Sequence, residues 1–409
     1  MKSGHWICPP VSNTIRICCH KRPAAQPQFF RLFLASTFSA SVGRNGYYVG
    51  CAWTLVQAGC GSAGVATLLA LVSVVEFIAS PLAGIAADRF DRRQLNIAAD
   101  IGRLGVMLAT ALSLLYLAVF PTLCLSAVLF AICDRVALTA SQAMIPLVVR
   151  GADPATSNSS VFFVMQFGSL AAALLAGPLL SGHSPALAFA VLALFFLVSA
   201  GSLCSMRLGL VLRSADRANG SAPTLDRHLF RLFAAYAMLY GSAVLVTVMG
   251  SSFVFEEQQG TAVDFGRLEA AWSAGSLIGA VLFVRLTRSV SAPTLHLMLL
   301  GSTALALVSL IALRAPWTLI VFAALGCLYN LGRVSIEITL QSRVRDGALG
   351  RAKGVMHSLA VALGLVIFSL TFFLGARVLP STVFFCFGMV LLATIPLLSL
   401  GNAQRQGES

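Results

Sequence analysis

Apolar residues in this chain do not alternate with polar ones. They come in long runs separated by short polar gaps, and twelve such runs reach helical length. They fall near 32–55, 63–86, 95–118, 122–148, 158–180, 184–206, 229–253, 265–286, 292–313, 316–341, 355–375 and 379–400. A run of about 20 apolar residues crosses the hydrocarbon core of a bilayer as a helix. The pattern therefore predicts an all-α membrane protein with 12 transmembrane helices. An even count places both termini on one side.

Charge fixes which side that is. Most of the 28 basic residues lie in the N-terminal segment, the even-to-odd gaps or the tail. Examples are Arg89, Arg92 and Arg93, then Arg207, Arg213, Arg217 and Arg227, then Arg343, Arg345, Arg351 and Lys353. Lys and Arg collect in short cytoplasmic loops, so both termini are expected in the cytoplasm. The gap after the seventh run is acidic instead, with Glu256, Glu257, Asp264 and Glu269.

A mean hydropathy of +0.87 and only 11% charged residues lie outside soluble globular usage. The net charge of +13 needs no nucleic acid to explain it, because topology and anionic headgroups account for basic residues on one membrane face. Several of the ten cysteines (Cys51, Cys124, Cys133, Cys204, Cys327 and Cys386) fall in apolar runs, where a free thiol behaves as a small apolar residue. Cys8, Cys18, Cys19 and His20 lack the repeated pair of a zinc site. No metal and no cofactor are expected. No phosphate-binding Gly-x-x-x-x-Gly-Lys-Ser/Thr run, His-Glu-x-x-His pair or nucleophile elbow occurs, and no enzyme is expected.

The widest polar interruption, 207–228, divides the runs six and six. The halves open alike: Phe29-Phe30-Arg31-Leu32-Phe33 is echoed by Leu229-Phe230-Arg231-Leu232-Phe233. Gly84 corresponds to Gly279 and Arg135-Val136 to Arg333-Val334, at nearly the same offset. The organisation read from this is a polar leader (1–28), an N-terminal six-helix bundle (29–206), a cytoplasmic linker (207–228), a C-terminal six-helix bundle (229–400) and a short tail (401–409). Two such repeats suit a transporter that rocks its bundles about a central cavity.

The gap between the second and third runs reads Gly84-Ile85-Ala86-Ala87-Asp88-Arg89-Phe90-Asp91-Arg92-Arg93. It resembles the signature loop of the major facilitator superfamily, Gly-x-x-x-Asp-Arg-x-Gly-Arg-Arg, with Asp91 where that family usually has Gly. The Asp-Arg-Phe-Asp-Arg-Arg form is similar to a branch that exports siderophores and macrolides. The resemblance implies a gating loop of Gly84, Asp88, Arg89, Arg92 and Arg93, in which Asp88 faces the N-terminus of the eleventh span. Gly84 would let helices approach closely.

Ionisable groups at bilayer depth are costly and mark function. Arg44, Glu76, Asp134 and Arg135 fall near mid-membrane, and Arg333 and Glu337 nearer the cytoplasmic mouth. In the resembled superfamily, spans 1, 4, 7 and 10 line the cavity. Neighbouring side chains on a helix diverge by about 100°, so Asp134 and Arg135 need partners on other helices. Arg44 is available to Asp134 or Glu76. Arg333 and Glu337, four apart, suit a local ion pair. Asp134 is the leading proton-coupling candidate and Glu76 the second. Away from the span ends, Tyr47, Tyr48 and Asn330 are candidates for the substrate cavity.

In the fifth run, Gly177-Pro178-Leu179-Leu180-Ser181-Gly182 resembles the Gly-Pro motif of drug and siderophore exporters. It is reduced at its end to Ser181-Gly182. These features predict a secondary active exporter of a small molecule, a siderophore or an amphipathic drug, across a bacterial inner membrane. Alternating access and proton antiport are expected, with a monomer in the bilayer whose only further partners are substrate and protons. The alternatives are a lysophospholipid or other lipid transporter and a proton-coupled nutrient uptake permease.

Overall fold

The computed structural model describes residues 27–148, 154–182, 184–206, 227–289, 291–344, 346–374 and 377–399. The expected leader, linker and tail lie almost wholly outside the described residues. Twelve helices follow one another: α1 (Pro27–Gln57), α2 (Gly61–Arg89), α3 (Arg92–Ser113), α4 (Val119–Val148), α5 (Pro154–Gly182), α6 (Pro185–Cys204), α7 (Arg227–Ser252), α8 (Ala262–Ser289), α9 (Ala292–Ser309), α10 (Trp317–Arg343), α11 (Asp346–Leu374) and α12 (Pro380–Ser399). A π turn, Phe253–Glu257, extends α7. Among the described residues, nine helices are long and apolar enough to cross a membrane. The third span ends earlier than its apolar run, at Ser113, because the chain turns through Leu114–Leu117.

The helices form two six-helix bundles built on one plan. In the first, α1 packs on α5 and α6, α2 on α4, and α3 on α4 and α6. In the second, α7 packs on α11 and α12, α8 on α10, and α9 on α10 and α12. The matched basic residues also hold matched places. Arg31 and Arg231 each stand four residues after the starts of α1 (Pro27) and α7 (Arg227). Arg135 and Arg333 each stand sixteen after the starts of α4 (Val119) and α10 (Trp317).

The two most extensive contacts between the bundles are α5 with α8 and α2 with α11, and each is the other's counterpart under the repeat. They are tightest at the end away from the α2–α3 turn. There Gly177 and Gly266 bring the α5 and α8 backbones together: a Cβ on Gly266 would stand 2.6 Å from the carbonyl oxygen of Ala173. Trp53 of α1 stacks on Phe265 of α8 with ring centroids 5.8 Å apart. Ala66, Val248 and Phe368 close a small apolar cluster between α2, α7 and α11.

Large apolar side chains cover the outside, among them Phe77, Leu112, Leu197, Phe373 and Leu397. A bilayer supplies the apolar surroundings that such a surface requires. Inside the second bundle, α8 and α10 approach backbone to backbone. A Cβ on Gly275 would overlap the carbonyl of Ala323, and one on Gly326 the carbonyl of Trp272. Asp91 has a local task as well: its carboxylate caps α3, accepting from the amides of Arg93 (2.8 Å) and Gln94 (3.2 Å).

Two measurements on detergent-solubilised protein check this account. Gly275→Leu and Gly326→Leu overpack a backbone contact that cannot rotate away, and each is expected to cost about 1–3 kcal/mol or more. They should lower the melting temperature or yield aggregate in size-exclusion chromatography. Gly201→Ala, where a Cβ meets nothing within 4 Å, should melt like the parent. Asp91→Ala should cost about 1 kcal/mol of cap energy while Asp91→Ser retains most of it; equal melting of parent and Asp91→Ala would contradict the cap.

Candidate functional site: a buried ion network at the middle of the first bundle

Asp134 sits halfway along α4 and is fully buried. Two guanidinium groups hold its carboxylate. Arg44 of α1 donates from Nε to Oδ2 at 2.7 Å, and Arg103 of α3 donates to Oδ1 at 2.8 Å. Arg103 also pairs with Asp100, one turn away on the same helix. Asp100 accepts from Ser199 of α6 at 2.7 Å, and Ser199 shares a 2.9 Å hydrogen bond with Ser36 of α1. The guanidinium of Arg103 lies 4.5 Å from the ring centre of Phe196. Four helices are thus tied at mid-depth by charge-assisted bonds, which are the strong ones.

The two arginines differ in access. The Arg103 side chain is 3% exposed and that of Arg44 is 29% exposed. Arg44 opens into a crevice of ≈ 440 Å³, solvent at its mouth included, with Ser36, Ser41, Asn96, Ser141 and Met165 on its walls. This crevice lies toward the end carrying the α2–α3 turn. Tyr48 stands beside Arg44, 5.9 Å from guanidinium carbon to ring centre, and its buried hydroxyl has no hydrogen-bond partner among the described residues.

The remaining sequence candidates disperse. Arg135 turns away from Asp134 and donates to Ser80 of α2 at 2.7 Å. Glu76, half-buried one turn from Ser80, makes no ion pair among the described residues, although Arg44 and Arg135 act on it electrostatically. Arg333 and Glu337 approach only to 3.8 Å, while Arg333 lies 5.3 Å from the ring centre of Phe162 on α5. Arg92 donates to the carbonyl of Ala143 near the end of α4 (2.9 Å). Arg93 donates to the carbonyls of Leu203 and Cys204 at the end of α6 (2.8 Å each). Both satisfy carbonyls at helix C-termini, where cations are favoured. Arg89 is exposed at the end of α2. The expected contact between Asp88 and the start of α11 lies outside the described side chains.

Two expectations need correction. Tyr47 does not line a cavity: it is fully buried, stacked on Phe130 at 3.9 Å and bonded to Ser126 at 2.8 Å, inside the first bundle. Asn330 is likewise buried, its amide donating to the carbonyl of Ser276 at 2.9 Å across the α8–α10 contact. For Gly84, a Cβ meets nothing within 4 Å among the described residues. In the fifth helix the motif divides. Gly177 packs on α8, Pro178 is exposed within a helix that continues past it, and Gly182 has open space around its Cα. Asp100 and Arg103 were missed because the third span is not a cavity-lining one in the resembled plan. Their signal was an acid and a base three apart in mid-span, open to the same depth argument as Asp134.

Residues 33–369 match the family model described as Major Facilitator Superfamily. Solved structures share the fold. The nucleoside transporter NupG aligns with a TM-score of 0.74 at 11% identity, covering 91% of this chain and 99% of that one. A bacterial homologue of the iron transporter ferroportin, in an inward-facing state, aligns with a TM-score of 0.71 at 17% identity, covering 92% and 98%. A bacterial homologue of the human lysosomal transporter Spinster, inward-facing and unoccupied, aligns with a TM-score of 0.67 at 14% identity, covering 93% and 96%. No curated protein sequence matches the chain. At such identities the structural likeness is one of fold alone, but the family model spans most of the sequence, and the chain belongs to the Major Facilitator Superfamily.

Proposed function

We propose that this transporter is a secondary active exporter of a small molecule, a siderophore or an amphipathic drug, driven by proton antiport across a bacterial inner membrane with both termini in the cytoplasm. The observation that carries the coupling is the fully buried Asp134 held between Arg44 and Arg103 at mid-helix. Burial favours a neutral carboxyl and an adjacent guanidinium favours the ionised one. Arg103 is retained by Asp100 whatever Asp134 does. Arg44 makes its one ion pair among the described residues with Asp134, feels Glu76 only at a distance, and is the more exposed of the two at the crevice. Movement of Arg44 on and off Asp134 as the bundles rock therefore exchanges a proton between the two sides.

Export over uptake is supported by the Gly-Pro run of α5, whose Gly177 packs against α8 of the other bundle. The inter-bundle contacts at the end away from the α2–α3 turn suit a form open to the cytoplasm, from which an exporter takes its cargo. The loop residues Asp88 and Arg89 form the gate on the cytoplasmic side in this reading, with Arg92 and Arg93 bracing it.

The test begins with deletion of the gene and mass spectrometry of medium and cell extract, under iron starvation and iron repletion. A metabolite lost from the medium and retained in cells at low iron identifies a siderophore; altered sensitivity to amphipathic drugs alone identifies drug efflux. Asp134→Asn, reintroduced at parental expression and monodisperse on size exclusion, is expected to abolish uphill export. Full accumulation gradients in that variant would remove Asp134 as the proton carrier. A cargo that disappears from the cell interior instead would replace export by uptake, and altered lipid distribution with no soluble cargo would indicate lipid transport.

A further inference from the structure

The acidic stretch after the seventh span does not lie wholly in a loop. Glu269 stands seven residues into α8, about 10 Å along the helix from its start. It is partly buried and faces Gly250 of α7: a Cβ on Gly250 would lie 4.0 Å from its Oε1 and 3.7 Å from the ring of Phe265. Phe265 is one turn away on the same helix face. That ring stacks on Trp53 of α1, which also meets Phe255 edge-on at 5.5 Å. Glu269 therefore sits directly under an aromatic lid made by both bundles, on the side of the lid nearer the middle of the molecule.

Unlike Asp134, this carboxylate makes no hydrogen bond and no ion pair among the described residues. Four other charged groups at this end are turned elsewhere. Glu257 accepts from the amide of Ser381 at 2.9 Å. Glu256 lies against Gly61 of α2. Asp264 and Arg267 are exposed and face each other at 3.3 Å. Asp264 is held below the usual carboxylate range by the amide and hydroxyl of Thr261, so it stays ionised through the neutral range. Next to Gly250, Ser251 keeps a fully buried hydroxyl without a partner among the described residues.

An acid at membrane depth with no counter-charge is costly as an anion. It is either neutral or matched by a cation from outside the protein. Aromatic faces attract cations, and Trp53, Phe255 and Phe265 supply them together with an apolar wall. An anionic cargo would be repelled by the same carboxylate.

We propose that Glu269 is the receptor for the cationic head of an amphipathic substrate, an ammonium or phosphonium beside the Trp53–Phe265 lid, which takes the place of the carboxyl proton as that proton leaves to water. The proposal rests on the export reading for its physiological meaning and selects the amphipathic drug over the siderophore as cargo. The exchange of cation for proton at one carboxylate supplies the competition that antiport needs.

The experiment is equilibrium binding of tetraphenylphosphonium to the purified full-length transporter in detergent, across a pH series. The parent is expected to bind it more weakly as pH falls. Glu269→Gln should weaken binding about tenfold or more, equivalent to about 1.4 kcal/mol, and Glu269→Asp should restore part of it. Arg267→Gln, at an exposed position on the same helix, should bind like the parent. If Glu269→Gln proves aggregated, protection of Glu269 in the parent from dicyclohexylcarbodiimide, read by peptide mass spectrometry, reports the same contact. Absence of tetraphenylphosphonium binding by the parent, equal binding by a folded Glu269→Gln, or undiminished carbodiimide labelling would overturn the proposal. Binding needs no transport and no gradient, so such a failure leaves the coupling role of Asp134 standing, just as loss of that role would leave the binding result intact.

Discussion

A carboxylate buried at mid-membrane is tolerated only where its charge is met, and in the first bundle that requirement organises four helices. Asp134 draws Arg44 from α1 and Arg103 from α3, and Asp100 extends the chain to Ser199 on α6. Removing one partner of a buried ion pair typically costs about 3–5 kcal/mol, because the other charge is left uncompensated. The network therefore sets helix register more strictly than apolar packing does, since lipid tails are as apolar as the side chains they replace. Arg44, the arginine held by a single acid, is also the more exposed of the two that line the crevice.

The second bundle follows the same packing plan with a different cohesive device. Its α8 and α10 meet through Gly275, Gly279 and Gly326, where backbone touches backbone. The residue equivalent to Arg135, Arg333, keeps only a loose approach to Glu337. Close backbone contact of this kind is rigid and carries no net charge. The duplication has thus kept the architecture and divided the means of cohesion: a buried ion network at the centre of one bundle, close backbone contact in the other. Because α5–α8 and α2–α11 are equivalent contacts, a rocking motion can hinge on both without disturbing either interior.

How much of this the sequence discloses depends on which solvent writes the pattern. The bilayer demands long apolar runs, so the twelve helices and their two-bundle fold are readable from hydropathy. Depth is readable as well, because a helix rises uniformly, and depth alone makes Arg44 available to Asp134. Azimuth is another matter. The lipid-facing and protein-facing sides of a membrane helix are both apolar, so no strong periodicity says which way a residue points. Tyr47 and Asn330 illustrate this: their depth suits a cavity, yet they point into packed interiors. Asp100 and Arg103 illustrate the opposite loss, an ion pair whose spacing was visible but whose helix was not expected to matter. Gly84 fits a family motif, but a motif does not specify which helix stands opposite in one conformation.

The contrast between the two intramembrane acids bears on how labour is divided. Asp134 has both oxygens occupied by guanidinium donors and no exposed surface. A bulky cation has no route to it, but a proton needs only the temporary withdrawal of Arg44. Glu269 has no hydrogen-bond or ion-pair partner among the described residues, and it lies beside Gly250 one helical turn from the Phe265–Trp53 stack. A soft cation is the occupant proposed for it, and an arginine there would compete with that cation. In the proposed reading, the tight pairing of Asp134 suits proton coupling and the unpaired Glu269 suits exchange of a proton for a cationic cargo, so each bundle contributes one acid. The aromatic lid over Glu269 is built from both bundles, so occupancy of that slot bears directly on whether they can part.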